Sequence, residues 1–493
     1  AKELVNEIYD ISNDDEFLKQ VDEKIDDAID KRILYIGAGN AKFLVDSKET
    51  AKNICKEIKE IYKSLAPSAK VVAEYYEIKE NEKIWDGIDE LAQKTAEKKS
   101  EGFPILNIDL PFAVKCDLSG TEPAVVSYKS IDEDLEKIEI HRSGKDFDKK
   151  EQVEDTVTAI KNVIKEGKLN ISEESAVKIK YSNKMIKDDV NEIGFYSIIK
   201  KALKDDIHLN TEIENYAIGD SFIGFVYSDG DALGEFFKNL KNTFKNMNSN
   251  DREDEYLKFI GNFSKDLDEI TKSSLAETLV DIFKNVNNEK RWGEFLIVGG
   301  DDVCAVFDPT LSLEISTNFQ KKFEDKMYKN IEKMVNNNTK KLLESKITSS
   351  SGVVIAKSKT PIFQLFEKGM DLQKSAKKAR RKAIDENLNK TGFIDFQVIG
   401  SEGCVDIDDF RKTISSEENK VIERPYAINI DKNDKNIKNF EELIKIVREL
   451  KKANFPSNKL RYMYDLKRNS ELEEFEKKMD FINILSKMDK NNV

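Results

Sequence analysis

Residues 295–308 read Phe295-Leu296-Ile297-Val298-Gly299-Gly300-Asp301-Asp302-Val303-Cys304-Ala305-Val306-Phe307-Asp308. An apolar run, a four-residue tip holding two glycines and two aspartates, and a second apolar run make a β-hairpin pattern. An earlier stretch has the same form: Ile33-Leu34-Tyr35-Ile36-Gly37-Ala38-Gly39-Asn40-Ala41-Lys42-Phe43-Leu44-Val45-Asp46. The segments after the two hairpins match as well. A helical segment (50–65, and about 311–345) leads to a strand, Val71-Val72-Ala73-Glu74 or Val353-Val354-Ile355-Ala356. A second helix, around Leu91–Lys98 or Leu372–Lys378, closes each unit. Hairpins alternating with helices in this order predict a βαββαβ, ferredoxin-like unit present twice.

The fold expected is therefore α+β: two ferredoxin-like (βαββαβ) palm domains plus helical regions. Residues 1–135 are expected to form a first palm that is degenerate and N-terminally incomplete. Residues 136–215 read as a charged, helical or loop-like connecting domain, 216–400 as the second palm, and 401–493 as a C-terminal helical domain. In the last of these, Phe440, Leu443, Ile444, Ile446, Val447 and Leu450 share a helical face.

The second copy carries the chemistry. Phe222-Ile223-Gly224-Phe225-Val226-Tyr227 reads as a buried strand that ends at Ser228-Asp229-Gly230-Asp231. A helix comes next, with Leu233, Phe236, Phe237, Leu240 and Phe244 on one face. Carboxylates at a strand end, beside helix N-terminal amides suited to phosphate, would be joined by Asp301 and Asp302 from the hairpin tip. Carboxylates gathered without a cation repel and raise one another's pKa. Two hard cations about 4 Å apart would bind such oxygens and leave open positions for a triphosphate. The expected cofactors are two Mg²⁺ or Mn²⁺ ions, and the expected catalytic and metal-binding residues are Asp229, Asp301 and Asp302. Ser349-Ser350-Ser351-Gly352 ahead of the strand, and Lys377 on the closing helix, are placed to touch base or phosphates. In the first copy Gly39 and Asn40 stand where Asp301 and Asp302 do, and Glu97 where Lys377 does. That copy lacks the carboxylates for metal chemistry.

Composition narrows the chemistry further. Acidic residues number 94 and basic ones 81, a net charge of −13 that disfavours a global basic face for duplex nucleic acid. Only two histidines occur, His141 and His208, so a multi-histidine metal centre is excluded. The four cysteines, Cys55, Cys116, Cys304 and Cys404, make no C-x-x-C pair. A reducing cytoplasmic setting is expected, and no apolar run is long enough to span a bilayer.

With these motifs together the chain resembles the large palm-domain subunit of type III CRISPR effector complexes, or a compact stand-alone relative. The resemblance runs through Ala1-Lys2-Glu3-Leu4-Val5, the hairpin around Gly37–Asn40, Cys116-Asp117-Leu118-Ser119-Gly120 with Pro123-Ala124, Asp229-Gly230-Asp231-Ala232-Leu233-Gly234 and Gly299-Gly300-Asp301-Asp302. Ser351-Gly352 with Ala376-Lys377, and Arg424-Pro425-Tyr426, complete it. It implies a cyclic oligoadenylate synthase that uses ATP. Gly230, Asp231, Gly234, Gly299, Gly300, Ser350, Ser351, Gly352 and Lys377 would be its nucleotide contacts. It also implies guide and target RNA and other effector subunits as partners, and pairing of two copies if the protein stands alone. The family's His-Asp nuclease and cysteine zinc site have no counterpart here, and the first palm's own first strand is expected upstream of Ala1. Two other readings remain open: a non-catalytic nucleotide-binding scaffold of a ribonucleoprotein, and a different cyclase of the Gly-Gly-Asp/Glu-Glu-Phe type.

Overall fold

In the computed structural model the described residues are chiefly 33–101 (without 38–39 and 66–68), 114–140 (without 121, 125 and 132–133), 167–175 (without 173), 213–283 (without 219–220), 293–386, 391–400, 407–414, 424–429 and 439–468. Two compact units divide the chain. One takes Ala1–Arg32 and Phe43–Ser197, the other Ile33–Lys42 and Ile198–Val493.

The earlier hairpin forms as β1 (Ile33–Gly37) and β2 (Asn40–Phe43) in a two-stranded sheet. In the first unit, α1 (Lys48–Leu65) and α2 (Ile84–Ser100) confirm the helices read from the sequence. The strand expected at Val71–Glu74 does not form, and residues 71–79 have no regular secondary structure. A strand needs a ladder partner for its amides and carbonyls, and the first copy's counterpart of the second palm's opening strand is not among the described residues. Side chains tie this stretch down instead: Glu74 reaches Lys59 of α1 at 3.3 Å and Lys94 of α2 at 3.2 Å. The expected boundary at 135/136 also falls inside a strand. β3 (Val126–Ile131), β4 (Asp134–Ile140) and β5 (Gly167–Ile171) form an antiparallel sheet in the order β4-β3-β5. The charged residues of 136–140 and 167–171, expected as helix or loop, are ladder strands.

The second unit is built on a six-stranded sheet. Its strands are β6 (Phe222–Asp231), β7 (Glu294–Gly299), β8 (Asp302–Phe307), β9 (Thr348–Lys357), β10 (Phe393–Val398) and β11 (Tyr426–Ala427), in the order β11-β10-β9-β6-β8-β7. Between β6 and β7 run α3 (Leu233–Lys245) and α4 (Arg252–Phe283), and β1 of the earlier hairpin packs on α4. α5 (Ser312–Met334) joins β8 to β9, and α6 (Ile362–Asp385) joins β9 to β10. The inner four strands, β9-β6-β8-β7, pair antiparallel with the last and first strands of the βαββαβ unit side by side. That is the ferredoxin-like order the repeat predicts. β10 extends it parallel to β9.

Alternation along the strands assigns the two faces. Ile223, Phe225, Cys304, Val306, Val354 and Ala356 pack with Leu365 and Leu372 of α6. Gly352 marks the closest approach of that helix: a Cβ there would sit 2.2 Å from the Gly369 carbonyl oxygen. α5 lies against β6 and β9 and packs on α4. On α3, Phe236 stacks on Phe263 of α4 with ring centroids 4.6 Å apart. Phe236, Leu240 and Phe244 are buried, as the helical spacing predicts. The C-terminal region folds as α7 (Ile407–Ile414), α8 (Phe440–Lys452) and α9 (Ser457–Arg468). Of the apolar face expected on α8, Phe440 is buried while Ile446 and Val447 are exposed. Among the described residues no helix is long and apolar enough to cross a membrane.

Candidate active site

The carboxylates meet at one end of β6. This strand does not stop at Tyr227 but runs through Asp231, because its ladder with β9 continues through Asp229↔Ser350 and Asp231↔Thr348 after the β8 ladder has ended at Ser228↔Val303. The serines 349–351, expected ahead of the strand, therefore lie inside β9 itself. Residues 229 and 231 are two apart on one strand and so project to the same face, the one α6 covers.

The hairpin delivers the other two acids. Gly299 pairs with Asp302, leaving Gly300 and Asp301 as a two-residue tip. α4 clamps that tip from behind: Asp268 Oδ1 accepts from the Gly300 amide at 2.9 Å, and Thr271 Oγ1 donates to the Gly300 carbonyl at 2.6 Å. Lys272 in turn donates to Asp268 Oδ2 at 2.7 Å. Gly230 gives Asp301 its space, since a Cβ there would lie 2.8 Å from Asp301 Oδ2.

Burial first, and then the charges of Asp229 and Asp302, push the Asp301 carboxyl up to about 7, with a hydrogen bond to Asp229 adding to it. Asp302 rises to about 6 for the same leading reason, burial, with repulsion from Asp229 next; Lys377 and the Tyr227 hydroxyl pull it back. Tyr227 donates to Asp302 Oδ1 at 3.4 Å. Burial and the nearby carboxylates also push the Tyr227 hydroxyl well above its ordinary value, so it stays a donor.

α6 supplies the cations and amides. Gln373, Lys377 and Arg380 stand at i, i+4 and i+7, one stripe of the helix. Lys377 Nζ donates to Asp229 Oδ2 at 2.7 Å and to the Gly230 carbonyl at 2.8 Å, and Gln373 Nε2 reaches the same Asp229 oxygen at 3.3 Å. Arg380 Nε lies 3.6 Å from Asp231 Oδ2.

Two groups of expected residues thus separate. Asp229, Asp301, Asp302, Gly230, Gly299, Gly300 and Lys377 come together, and the open space at Gly234 lies in the first turn of α3. Asp231, Ser350, Ser351 and Gly352 are interior. Asp231 is only 2% exposed and accepts from Ser350 Oγ at 2.7 Å and Thr348 Oγ1 at 2.9 Å. Ser351 Oγ meets Ser228 Oγ at 2.5 Å, and Gly352 is covered by α6. The sequence suggests these four as nucleotide contacts; in the structure their polar groups are used in holding β6, β9 and α6 together. Asp268, Thr271 and Gln373, which contact the hairpin tip and Asp229, and Arg380, which contacts buried Asp231, are positions that sequence reasoning does not single out. The i, i+4, i+7 stripe on α6 is a usable signal, whereas nothing local marks Asp268 as facing the hairpin.

The donor set fits a hard divalent cation in kind: carboxylates so buried, and then so crowded, that Asp301 and Asp302 hold their protons toward neutrality. Its present arrangement is not a finished cage. Among the described residues no group of three or more His, Cys, Asp or Glu side chains is set to hold a metal, and Asp229 is turned to Lys377.

Residues 222–385, from the first residue of β6 to the last of α6, match the family model described as Cas10/Cmr2, second palm domain. The second unit carries a Cas10-like palm. Among curated proteins nothing matches the chain. Solved structures similar to it include a Csm1-Csm4 cassette in complex with pppApA, at 13% identity and a TM-score of 0.37, covering 71% of this chain and 46% of that one. Csm1 in T. onnurineus is similar at 13% identity and TM-score 0.35, covering 71% and 45%. A Csm1-Csm4 cassette in complex with cA4 gives 13% and 0.35, covering 71% and 46%. The chain spans about half the length of these Csm1 chains.

Proposed function

We propose that this protein is a metal-dependent nucleotidyltransferase that makes cyclic oligonucleotides, cyclic oligoadenylate in the first instance, from ATP in CRISPR-type antiviral signalling. The observation that carries the reading is the convergence of Asp229, from the end of β6, with Asp301 and Asp302, from the hairpin on the neighbouring strand. The match of 222–385 to the Cas10/Cmr2 palm supports it. Similar structures are described in complex with AMPPNP, one ATP and cA4, the kinds of nucleotide and product proposed here.

In the reaction proposed, a ribose hydroxyl oxygen of one nucleotide bonds to the α-phosphorus of a second. The bond from that phosphorus to the β-phosphate oxygen breaks, pyrophosphate leaves, and the hydroxyl proton passes to solvent. Repetition and a final intramolecular attack close the ring. Asp229, Asp301 and Asp302 would hold Mg²⁺ or Mn²⁺. Bound there, the cations would acidify the attacking hydroxyl and neutralise the pyrophosphate. Lys377 offers a positive charge to the phosphates at the same place, and Asp268 and Thr271 keep the hairpin tip from drifting. Guide and target RNA, and further effector subunits, are the partners proposed as triggers.

One observation favours a second reading, a nucleotide-holding scaffold without turnover: Lys377 already satisfies Asp229. Incubation of the protein with Mg²⁺ or Mn²⁺ and each labelled NTP, with products identified by mass, separates the two. Cyclic products that disappear in Asp301→Asn plus Asp302→Asn establish the synthase. No pyrophosphate from any NTP, with or without RNA, establishes the scaffold.

A further inference from the structure

Between Asp371 and Asp385, α6 carries six basic side chains and no acidic one, in a chain whose net charge is −13. The helix spreads those cations over distinct faces. Arg380 is buried beside Asp231, and Lys377 reaches Asp229 and the Gly230 carbonyl. Lys374, Lys378 and Arg381 stand at i, i+4 and i+7 and are exposed, so they form one outward ridge. Among the described residues no ion pair holds Lys378 or Arg381. Lys374 has Asp371 at 3.6 Å, and 65% of its side chain stays exposed.

Helical spacing joins this ridge to the carboxylates. Lys374 and Arg381 lie three residues before and four after Lys377, the positions that neighbour it on a helix surface. Gln373 and Arg380, its neighbours on the other side, are buried, so the ridge flanks Lys377 on the side toward solvent. Farther round the helix, Ser375 Oγ accepts from Arg411 Nη1 of α7 at 3.0 Å. The ridge therefore occupies the strip of α6 between the carboxylate site and α7. Like charges at i and i+4, such as Lys374–Lys378 and Lys377–Arg381, repel. A polyanion laid along them removes that repulsion and releases its counterions.

We propose that Lys374, Lys378 and Arg381 hold the phosphodiester backbone of the linear oligonucleotide formed at the carboxylates, before its ring closes. The proposal rests on the nucleotidyltransferase reading and adds to it a site for the unfinished product. The ridge spans about 10 Å of helix and continues outward from Lys377, so it meets charge beyond the reacting triphosphate. A linear intermediate gains one phosphodiester charge with each nucleotide added, whereas ATP carries none. Three cations suit a short strand, and the chain's net −13 disfavours a long polynucleotide lying across its surface.

The test compares three probes on the intact chain in Mg²⁺: ATP, linear triadenylate with a 5′-triphosphate, and a longer single-stranded RNA. Lys374→Gln, Lys378→Gln and Arg381→Gln together are expected to weaken triadenylate binding by about tenfold. The slope of log affinity against log salt should fall by about 2, at about 0.7 for each phosphate contact of a single strand. ATP affinity should change by less than about twofold. Should the triple variant unfold in a urea melt, the single substitutions replace it, each removing about 0.7 of slope. Unchanged triadenylate affinity and slope overturn the proposal. So does an equal loss for ATP, which places the effect at the triphosphate, or a loss confined to the longer RNA, which gives the ridge to an RNA partner. A wild-type protein that binds neither ATP nor triadenylate would instead overturn the nucleotidyltransferase reading itself.

Discussion

Lys377 Nζ lies 2.7 Å from Asp229 Oδ2, joining the closing helix of the palm to the carboxylate at the end of its first strand. The pair is partly exposed, 22% for the lysine and 28% for the aspartate, so its net worth to stability is small. Its consequence is for binding: the ammonium stands where a divalent cation would need the same oxygen. Lys377→Met is therefore expected to tighten Mn²⁺ binding to the nucleotide-free protein by about tenfold, one step of 1.4 kcal/mol, and to lower pyrophosphate release from ATP. Titration by manganese electron paramagnetic resonance reads the first effect. Unchanged Mn²⁺ affinity would show that Lys377 does not compete for Asp229.

The clamp on the hairpin tip makes a separate prediction. Asp268 and Thr271 hold the amide and the carbonyl of Gly300. Thr271→Val removes one buried hydrogen bond and should cost about 1 kcal/mol in a urea melt. Asp268→Ala should cost more than that and lower turnover without abolishing nucleotide binding, because the tip carrying Asp301 and Asp302 loses its brace. Turnover equal to the wild type in both variants would remove the clamp from any role in catalysis.

Gly230 lies directly against Asp301. Gly230→Ala would put a methyl 2.8 Å from both the Cβ and Oδ2 of Asp301 and 3.0 Å from Leu233. A strained repacking of about 1–3 kcal/mol is expected, together with loss of activity, since Asp301 must move. Full activity in this variant, measured as product formed from labelled NTP, would mean Asp301 is not needed where it now stands.

Asp231 and Arg380 should behave as structural residues. Asp231 is 2% exposed and Arg380 5% exposed, with Arg380 also donating to Thr348 Oγ1 at 2.8 Å and to the Lys346 carbonyl at 3.1 Å. Removing either partner leaves the other charge buried, a loss of about 3–5 kcal/mol. Asp231→Ala and Arg380→Met are expected to lower the unfolding midpoint sharply, while Asp302→Asn leaves it near the wild type. A stable Asp231→Ala protein would return Asp231 to the nucleotide.

A pH dependence arises from Glu324 on α5, which accepts from the Gly392 amide at 2.6 Å and the Thr391 hydroxyl at 3.1 Å. Burial pushes its carboxyl up from 4.5 to about 7. Between those values the folded chain keeps a proton that the unfolded chain has released. The unfolding free energy contributed here therefore falls as pH rises from about 4.5 to about 7 and is flat above, by up to about 3 kcal/mol. Glu324→Gln should flatten that part of the curve and, relative to the wild type, be more stable at pH 8 than at pH 5, read by urea melts at both. An unaltered pH profile would assign the slope to other groups.

The palm is legible in the sequence because its period-two strands and helical faces are local signals that burial then reinforces. Phe236, Leu240 and Phe244 point inward as their spacing requires, and the Gly299–Asp302 hairpin forms where its tip residues demand. Val71–Glu74 departs from expectation in the other direction: its apolar run is real, but among the described residues no strand pairs with it. Residues 136–140 and 167–171 show the converse, charged segments that become strands because β3 offers them a ladder.

The sequence by itself determined the identity of the clustered carboxylates and the strand order that gathers them, since both depend on residue type and periodicity along the chain. Only the tertiary structure decided which polar residues face the site and which are spent inside. Asp229 and Asp231 look alike in sequence, two residues apart on one strand face. One sits under Gln373 and Lys377 at the open edge and the other under Arg380, Thr348 and Ser350 in the interior. That difference is fixed by how far β9 and α6 extend over β6, a long-range packing outcome that no local pattern encodes.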